Sequence, residues 1–300
     1  MEIGEFSDLF EQVKNYPKRN MVVANGVDLH TLEAVSEAVE KGIVNALITG
    51  KETAIRPQCR KVGLNDDQYS VFECSTDVVA VETAVSLVRS GKADLIMKGF
   101  VNTDTFMHAI LNKQEGLLPK GGLLTHIAML KNKAYHKPVF VSDVAIIPAP
   151  DFEQKKQITN HLIAVAHRFG IAQPKVAFIA ATEKVIEKMQ ACTDAYELKK
   201  AWEGGAFPEA ICDGPMALDL AIDSEAAIIK NYKSLVAGDA DCLLFPNIES
   251  GNVFYKMNTR WCSAEIAAIV IGTMVPTVLS SRGDTMQTKL NSIALAALMG

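Results

Sequence analysis

The stretch GKADLIMKGFVNTDTF, residues 91–106, decides the fold. Gly91 closes a preceding helical pattern, and Asp94–Lys98 reads as a short strand. Gly99 ends that run, and Asn102, Thr103 and Asp104 are residue types that cap a helix start. A strand feeding directly into a capped helix is half of a parallel crossover unit. A second stretch, GDADCLLFPNIESGNVF at residues 238–254, follows the same order: Gly-x-Ala-Asp, an apolar strand, then a polar cluster opening the next element. Two readings stand: any βα unit looks like this, or the chain holds two related lobes.

The alternation continues on both sides. An opening helix spans about Ser7–Asn15, followed by strand Met21–Ala24, helix Asp28–Lys41 and strand Asn45–Thr49. Strand Val71–Cys74 and helix Asp77–Ser90 lead into the quoted stretch, and helix Asp104–Asn112 leaves it. After a loop at Gly116–Gly122 the pattern restarts with strand-like Val139–Ser142 and Ala145–Ile147, helix Phe152–Phe169, strand Lys175–Ile179 and helix Glu183–Ala191. Ala217–Ile222 and Ser224–Lys230 read as helical, Asp241–Phe245 as a strand and Arg260–Met274 as a long apolar helix. Pro276–Leu279 and Thr285–Leu298 supply a last strand and helix. The expected fold is α/β, with two α/β lobes around a cleft: residues 1–134 plus 276–300, and residues 135–275. Ligands of open parallel sheets bind at the carboxyl ends of strands. That points to Lys98–Thr105, Pro246–Asn252 and Ser280–Asp284.

Composition excludes several classes. Of 300 residues, 49% are hydrophobic and 22% charged, which supplies an ample core and rules out disorder. With 30 basic and 35 acidic residues the net charge is -5, against nucleic-acid binding as the main business. Mean hydropathy is +0.13, yet no stretch of about 20 residues is apolar enough to span a membrane. The acidic, amphipathic start MEIGEFSDLFEQVKNY is unlike a signal peptide. Six scattered cysteines with no CxxC pair read as reduced thiols in a cytoplasmic protein. There is no glycine-rich dinucleotide fingerprint, Walker A loop, His-Glu-x-x-His or Gly-x-Ser-x-Gly. His161 and His167 lie on different faces of a helix, so no metal site is expected.

Three segments carry chemistry. Met97–Asp104 sets Lys98 beside a helix start, an anion site by charge and free N–H groups, or else ordinary capping with a solvated lysine. Asn247–Lys256 holds Glu249 and Asn252 for ligand hydroxyls or loop contacts, or is a bare loop. Val278–Asp284 offers the Arg282 fork for phosphate, Ser281 for a transient anion and Asp284 as base or arginine partner, or is a turn with a local ion pair.

In order and spacing these segments resemble the phosphotransacylase family, closest to its phosphate butyryltransferase branch. The resemblance rests on Asp213–Asp219 (DGPMALD), Val236–Asp241 (VAGDAD), Ile248–Asn252 (IESGN), Tyr255-Lys256 and Ser280–Asp284 (SSRGD). It implies conversion of acyl-CoA plus phosphate to acyl phosphate plus CoA, with a short acyl chain, butyryl or acetyl. It also implies no metal and no cofactor, coenzyme A being a substrate, a homodimer or higher homo-oligomer, and a fold like isocitrate and isopropylmalate dehydrogenases. The expected catalytic residues are Ser281, Arg282 and Asp284; Lys98, Thr103, Thr125, Glu249, Asn252 and Lys256 are expected to hold substrate. Acetyl-specific relatives place a carboxylate where this chain has Thr288, so the acid–base assignment falls to Asp284 or to electrostatics alone. A metal-dependent dehydrogenase of the same fold lacks its aspartate cluster here. The other alternative is a non-catalytic acyl-CoA-sensing domain.

Overall fold

Short apolar runs closed by glycine or a polar cap become strands, and the amphipathic stretches between them become crossover helices. The computed structural model describes residues 4–281 and 283–300. Arg282, expected to be catalytic, lies outside the described residues. The chain divides into two compact units: an outer one, Phe6–Leu124 with Ala267–Gly300, and a middle one, Thr125–Ile266 with Gly4 and Glu5.

The first part of the outer unit runs α1 (Phe6–Val13), β1 (Arg19–Ala24), α2 (Leu29–Glu40), β2 (Val44–Gly50), α3 (Glu52–Lys61), β3 (Tyr69–Glu73), α4 (Asp77–Arg89), β4 (Leu95–Lys98) and α5 (Thr103–Ile110). The middle unit carries β5 (Thr125–Lys131), β6 (Val139–Ser142), α6 (Phe152–Arg168), β7 (Lys175–Ile179), α7 (Gln190–Glu203) and β8 (Ile211–Met216). It continues with α8 (Leu218–Ile222), α9 (Ser224–Ile229), β9 (Cys242–Leu244) and α10 (Ile248–Arg260). The chain then returns through β10 (Glu265–Ile271), β11 (Thr277–Val278) and α11 (Met286–Met299).

In the outer unit the strand order is β3-β2-β1-β4-β11-β10, parallel except for β10 against β11. From β1 the chain steps outward through β2 to β3, then crosses back to the other side of β1. Right-handed crossovers therefore put α2 and α3 on one face and α4 on the other. α11 packs on α1 and α2 and is buried from Lys289 through Leu298. In the middle unit the order is β5-β6-β9-β7-β8, parallel except for β5 against β6.

The two Gly-x-Ala-Asp stretches are equivalent in structure. Asp94 donates its N–H to Asn20 O at 2.8 Å and accepts the Asn20 N–H on Oδ2 at 2.7 Å. Asp241 donates to Lys175 O at 2.8 Å and accepts the Lys175 N–H on Oδ2 at 2.7 Å. In both cases the carboxylate satisfies the main-chain donor that a starting parallel strand leaves open. The reading of two related units is the one the hydrogen bonds favour.

Several expectations are corrected. Arg260–Met274 is not a helix: Ser263 at φ 52° breaks the chain, and the apolar run Ile266–Ile271, β-branched except for Ala267 and Ala268, falls in β10. The helix expected at Glu183–Ala191 begins only at Gln190, because Val185 and Ile186 are exposed and the buried positions are Cys192, Ala195 and Leu198. Ala145–Ile147 is no strand, since Asp143 Oδ1 accepts the N–H groups of Ala145 at 2.8 Å and Ile146 at 2.9 Å and turns the chain out of the sheet. Residues 125–134 fall in the middle unit and 267–275 in the outer one, unlike the boundaries read from the sequence. β5 pairs with β6, and β10 with β11, which draws each segment to its partner. All six cysteines are free, five of them buried. Among the described residues no helix is long and apolar enough to cross a membrane.

His126, on β5, stands edge-on to Tyr255 at 6.3 Å, and burial, with the Lys256 charge adding, pushes its pKa down to about 4. An unfolded histidine protonates near pH 6.5, so below that pH protons favour the unfolded chain. Stability therefore falls on acidification from about pH 6.5 toward pH 4. Denaturant titrations at pH 7 and 4.5 are expected to show that His126→Phe removes about 2 kcal/mol of that fall. An unchanged pH slope in the variant would refute the assignment.

Candidate active site

At the carboxyl end of the outer sheet, Ala24 of β1 is paired with Lys98 of β4, and Val278 of β11 with Met97. The chains leaving these three strands emerge side by side. Because β1 and β4 send their helices to opposite faces, this is the crevice where open α/β sheets bind ligands.

The crevice is held by main chain. A Cβ on Gly99 would stand 2.5 Å from Asn25 O and 2.7 Å from Ala24 O, so only glycine lets the two exits pass. Asn25, at φ +59°, donates its side-chain amide to Phe100 O at 2.6 Å and to Asp77 Oδ1 at 3.1 Å. Its own N–H goes to Thr49 Oγ1 at 3.1 Å, and its carbonyl accepts the Phe100 N–H at 2.9 Å. One residue in a left-handed conformation thus ties the ends of β1, β2 and β4 to the start of α4.

Below this latch is a cavity of about 170 Å³ whose lining includes Asp28, Thr31, Lys98, Ser280, Ser281 and Lys289. Lys98 is buried and donates Nζ to Gly99 O at 3.2 Å and Val101 O at 3.1 Å. Asp28 caps α2 by accepting the Thr31 N–H on Oδ1 at 2.9 Å, while its buried Oδ2 has no hydrogen-bond partner. Asp284 Oδ2 accepts the Ser281 N–H at 2.7 Å and its own N–H returns to Ser281 O at 3.1 Å, closing a tight turn. A wider groove of about 730 Å³ between α4 and α5 takes in Asp104 and Thr105 but none of the residues expected to be catalytic or to hold substrate.

In the middle unit, Asn247 caps α10 by accepting the Ser250 N–H at 3.0 Å, so the polar segment is helix and not bare loop. Glu249, Asn252 and Lys256 follow at spacings of three and four, which puts them on one helix face. A Cβ on Gly251 would fall 2.2 Å from Asp143 O, the counterpart in this unit of the Gly99 approach. Asn252 donates to Val144 O at 2.8 Å, a loop contact. Burial raises the Asp143 carboxyl even though backbone N–H groups of Ala145, Ile146 and His126 donate to it. Thr125 shares a 3.0 Å hydrogen bond with His161 Nδ1, and burial lowers the His161 pKa.

Of the expected residues, then, Lys98 and Ser281 share one cavity, with Asp284 shaping the turn that holds Ser281. Glu249, Asn252 and Lys256 share a helix face in the other unit. Thr103 is exposed at the first position of α5 and does not line the cavity, and the Thr125 hydroxyl is engaged by His161. Sequence reading missed Asn25, Asp28 and Lys289. Asp28 stood only as the first residue of an expected helix; Lys289 was the detectable one, a lone cation opening the apolar run of α11. Among the described residues no three His, Cys, Asp or Glu side chains are placed to hold a metal ion.

The chain is similar along most of its length to known proteins. Residues 76–297 match the phosphate acetyl/butaryl transferase family. The chain is 39% identical over 297 residues to a phosphate butyryltransferase of Clostridium acetobutylicum, covering 99% of this chain and 98% of that protein. It is 34% identical to a phosphate acetyltransferase of Rhizobium meliloti, over 92% of this chain and 87% of that one. A crystal structure of a branched-chain phosphotransacylase from Enterococcus faecalis superposes with a TM-score of 0.84 at 29% identity, covering 94% of this chain and 98% of that chain. Identity across almost the whole length, together with the shared fold, means that the chain belongs to the phosphate acetyl/butaryl transferase family and is a phosphate acyltransferase.

Proposed function

We propose that the outer unit's cavity is where phosphate meets the thioester of a short-chain acyl-CoA, with butyryl-CoA preferred over acetyl-CoA. The reaction is acyl-CoA plus phosphate to acyl phosphate plus CoA. A phosphate oxygen attacks the carbonyl carbon, the C–S bond breaks, and the proton of hydrogen phosphate ends on the departing sulfur. Negative charge builds first on the acyl oxygen and then on sulfur, so preorganised donors at those atoms lower the barrier. A buried Lys98 and an exposed Ser281 lining one cavity are the observation that carries this reading.

In it, Lys98 and Arg282 hold phosphate, and the Ser281 hydroxyl faces the developing anion. Asp284 keeps the Ser281–Asp284 turn in shape; its hydrogen bond from the Ser281 N–H supports a positioning role over a basic one. With Thr288 where acetyl-specific relatives carry a carboxylate, the thiolate is stabilised electrostatically. Thr103, Thr125, Glu249, Asn252 and Lys256 are proposed to hold the remainder of the substrate. A fold like isocitrate and isopropylmalate dehydrogenases, a cytoplasmic location and a homodimeric or higher homo-oligomeric state belong to the same proposal. Free thiols on all six cysteines support the cytoplasm. Exposed Val253 and Met257 on α10 and Trp261 just past its end, four residues apart, support self-association.

Three outcomes follow from these roles. CoA release from acyl-CoA is expected to require phosphate, to be unaffected by EDTA, and to be faster with butyryl- than acetyl-CoA, each methylene being worth ~1–3 kcal/mol. Acyl-CoA binding without turnover would instead make this a sensing domain. Arg282→Ala is expected to lower phosphate-dependent turnover by about a hundredfold with the fold intact, and Arg282→Lys to restore little, since a point charge lacks the guanidinium fork. Wild-type-like phosphate kinetics in the alanine variant would remove Arg282 from the site. Asp284→Asn is expected to raise the KM for phosphate while leaving the basic limb of the pH–rate profile in place. Loss of that limb at normal phosphate KM would make Asp284 the base.

A further inference from the structure

Lys289 lies in the first turn of α11, where Thr285 caps the helix by accepting the Thr288 N–H at 3.1 Å. It is only 3% exposed and lines the cavity that holds Lys98 and Ser281. Among the described residues its ammonium has neither an ion-pair nor a hydrogen-bond partner. Other buried lysines of this chain differ. Lys155 is paired with Asp194 at 2.5 Å, and Lys98 donates to two carbonyls. The residue is buried while its ammonium is not among the sealed-off polar atoms, so an acceptor entering the cavity it lines can reach it.

The same cavity contains the complementary defect. Asp28 commits Oδ1 to the Thr31 N–H, and its buried Oδ2 accepts from nothing. Lys289 does not satisfy it, since Oδ2 has no hydrogen-bond partner. A ligand that satisfies both must offer acceptor oxygens to Lys289 and a hydroxyl to Asp28 within about 170 Å³. Hydrogen phosphate does so: its charged oxygens face the ammonium groups and its P–OH donates to the carboxylate. Sulfate, fully ionised at neutral pH, has the same shape and charge but no hydroxyl, and would meet Asp28 with repulsion.

We propose that Lys289 and Asp28 form a hydrogen-phosphate subsite in which Lys289 supplies charge and Asp28 selects phosphate over sulfate. The proposal rests on the acyltransferase reading of this cavity. Lys289 needs no bond to any reacting carbon or sulfur, so it is a binding residue, and Asp28 sets specificity.

The test uses the full chain with inorganic phosphate and, separately, sulfate, at constant ionic strength and without acyl-CoA. Phosphate is expected to raise the wild-type Tm more than sulfate does. Lys289→Met is expected to keep or raise the ligand-free Tm, because it fills the same buried path without an unpaired charge, and to lose the phosphate-induced shift. Its KM for phosphate should rise about tenfold or more, with the KM for acyl-CoA within about twofold of wild type. Asp28→Asn retains a good helix cap and is expected to let sulfate raise the Tm and compete with phosphate. A Lys289→Met variant with a lower ligand-free Tm and an intact phosphate shift would overturn the proposal and make Lys289 a structural counter-charge. Equal shifts by both anions in wild type would overturn the role of Asp28. Wild-type protein that binds phosphate but releases no CoA would defeat the acyltransferase reading while leaving the subsite standing.

Discussion

The site depends on how closely the chain leaving β4 passes the chain leaving β1. With Gly99 the two backbones approach to a distance that no side chain allows, and Asn25 fastens them with hydrogen bonds from both its main chain and its side chain. That approach also fixes the lysine: the carbonyls that hold Lys98 Nζ belong to Gly99 and Val101, the first residues past the strand. A methyl group at residue 99 would therefore displace the charge as well as the turn. Overpacking of this kind between backbones relaxes poorly, since neither strand end has a rotamer to change.

The opposite end of the same strands is governed by the aspartate of Gly-x-Ala-Asp. Asp94 and Asp241 each fix the start of a central strand against its neighbour with a reciprocal pair of bonds. Where such a strand starts determines where it ends, because the intervening residues run at a fixed rise. In the outer unit this places Lys98 level with Ala24. In the middle unit Lys137 adds to the clamp, reaching Asp241 at 2.6 Å and Asp239 at 2.8 Å. Burial opposes ionisation of Asp239, but donors from Lys137, Lys175 and His136 outweigh it and hold that carboxyl well below the usual range.

Local signals and long-range ones were not equally legible in the sequence. Strands β4 and β9 and the capped helix after β4 were readable because a few adjacent residues decide them. β10 was read as a helix because a short apolar run has no period of its own; pairing with β11 decides it. β8 was hidden by Asp213-Gly-Pro, residues that argue against a strand, and it tolerates Pro215 because it lies at the sheet edge. The same distinction applies to the site. Lys98, Ser281 and Asp284 announced themselves beside glycines and caps, whereas Asp28 and Lys289 are separated in sequence from everything they face. Their meaning is a burial without a partner, which no spacing rule encodes.

An acidic protein that handles polyanions needs its cations where net charge does not count. At physiological ionic strength the surface field decays over about 8 Å, so a formal charge of -5 says little about a ligand already inside. Within the cavity the effective dielectric is lower and each ammonium acts more strongly. Two such groups of different character line it. Lys98 is already held by carbonyl oxygens, so its charge is preorganised and its head cannot follow a ligand far. Lys289 has no such restraint and keeps its full donor capacity for whatever enters. Fixed beside unrestrained is an arrangement suited to a group that must be oriented in the ground state and then bond through one of its oxygens to the acyl carbon. One cation defines where the phosphorus lies, and the other moves with the charge as it redistributes.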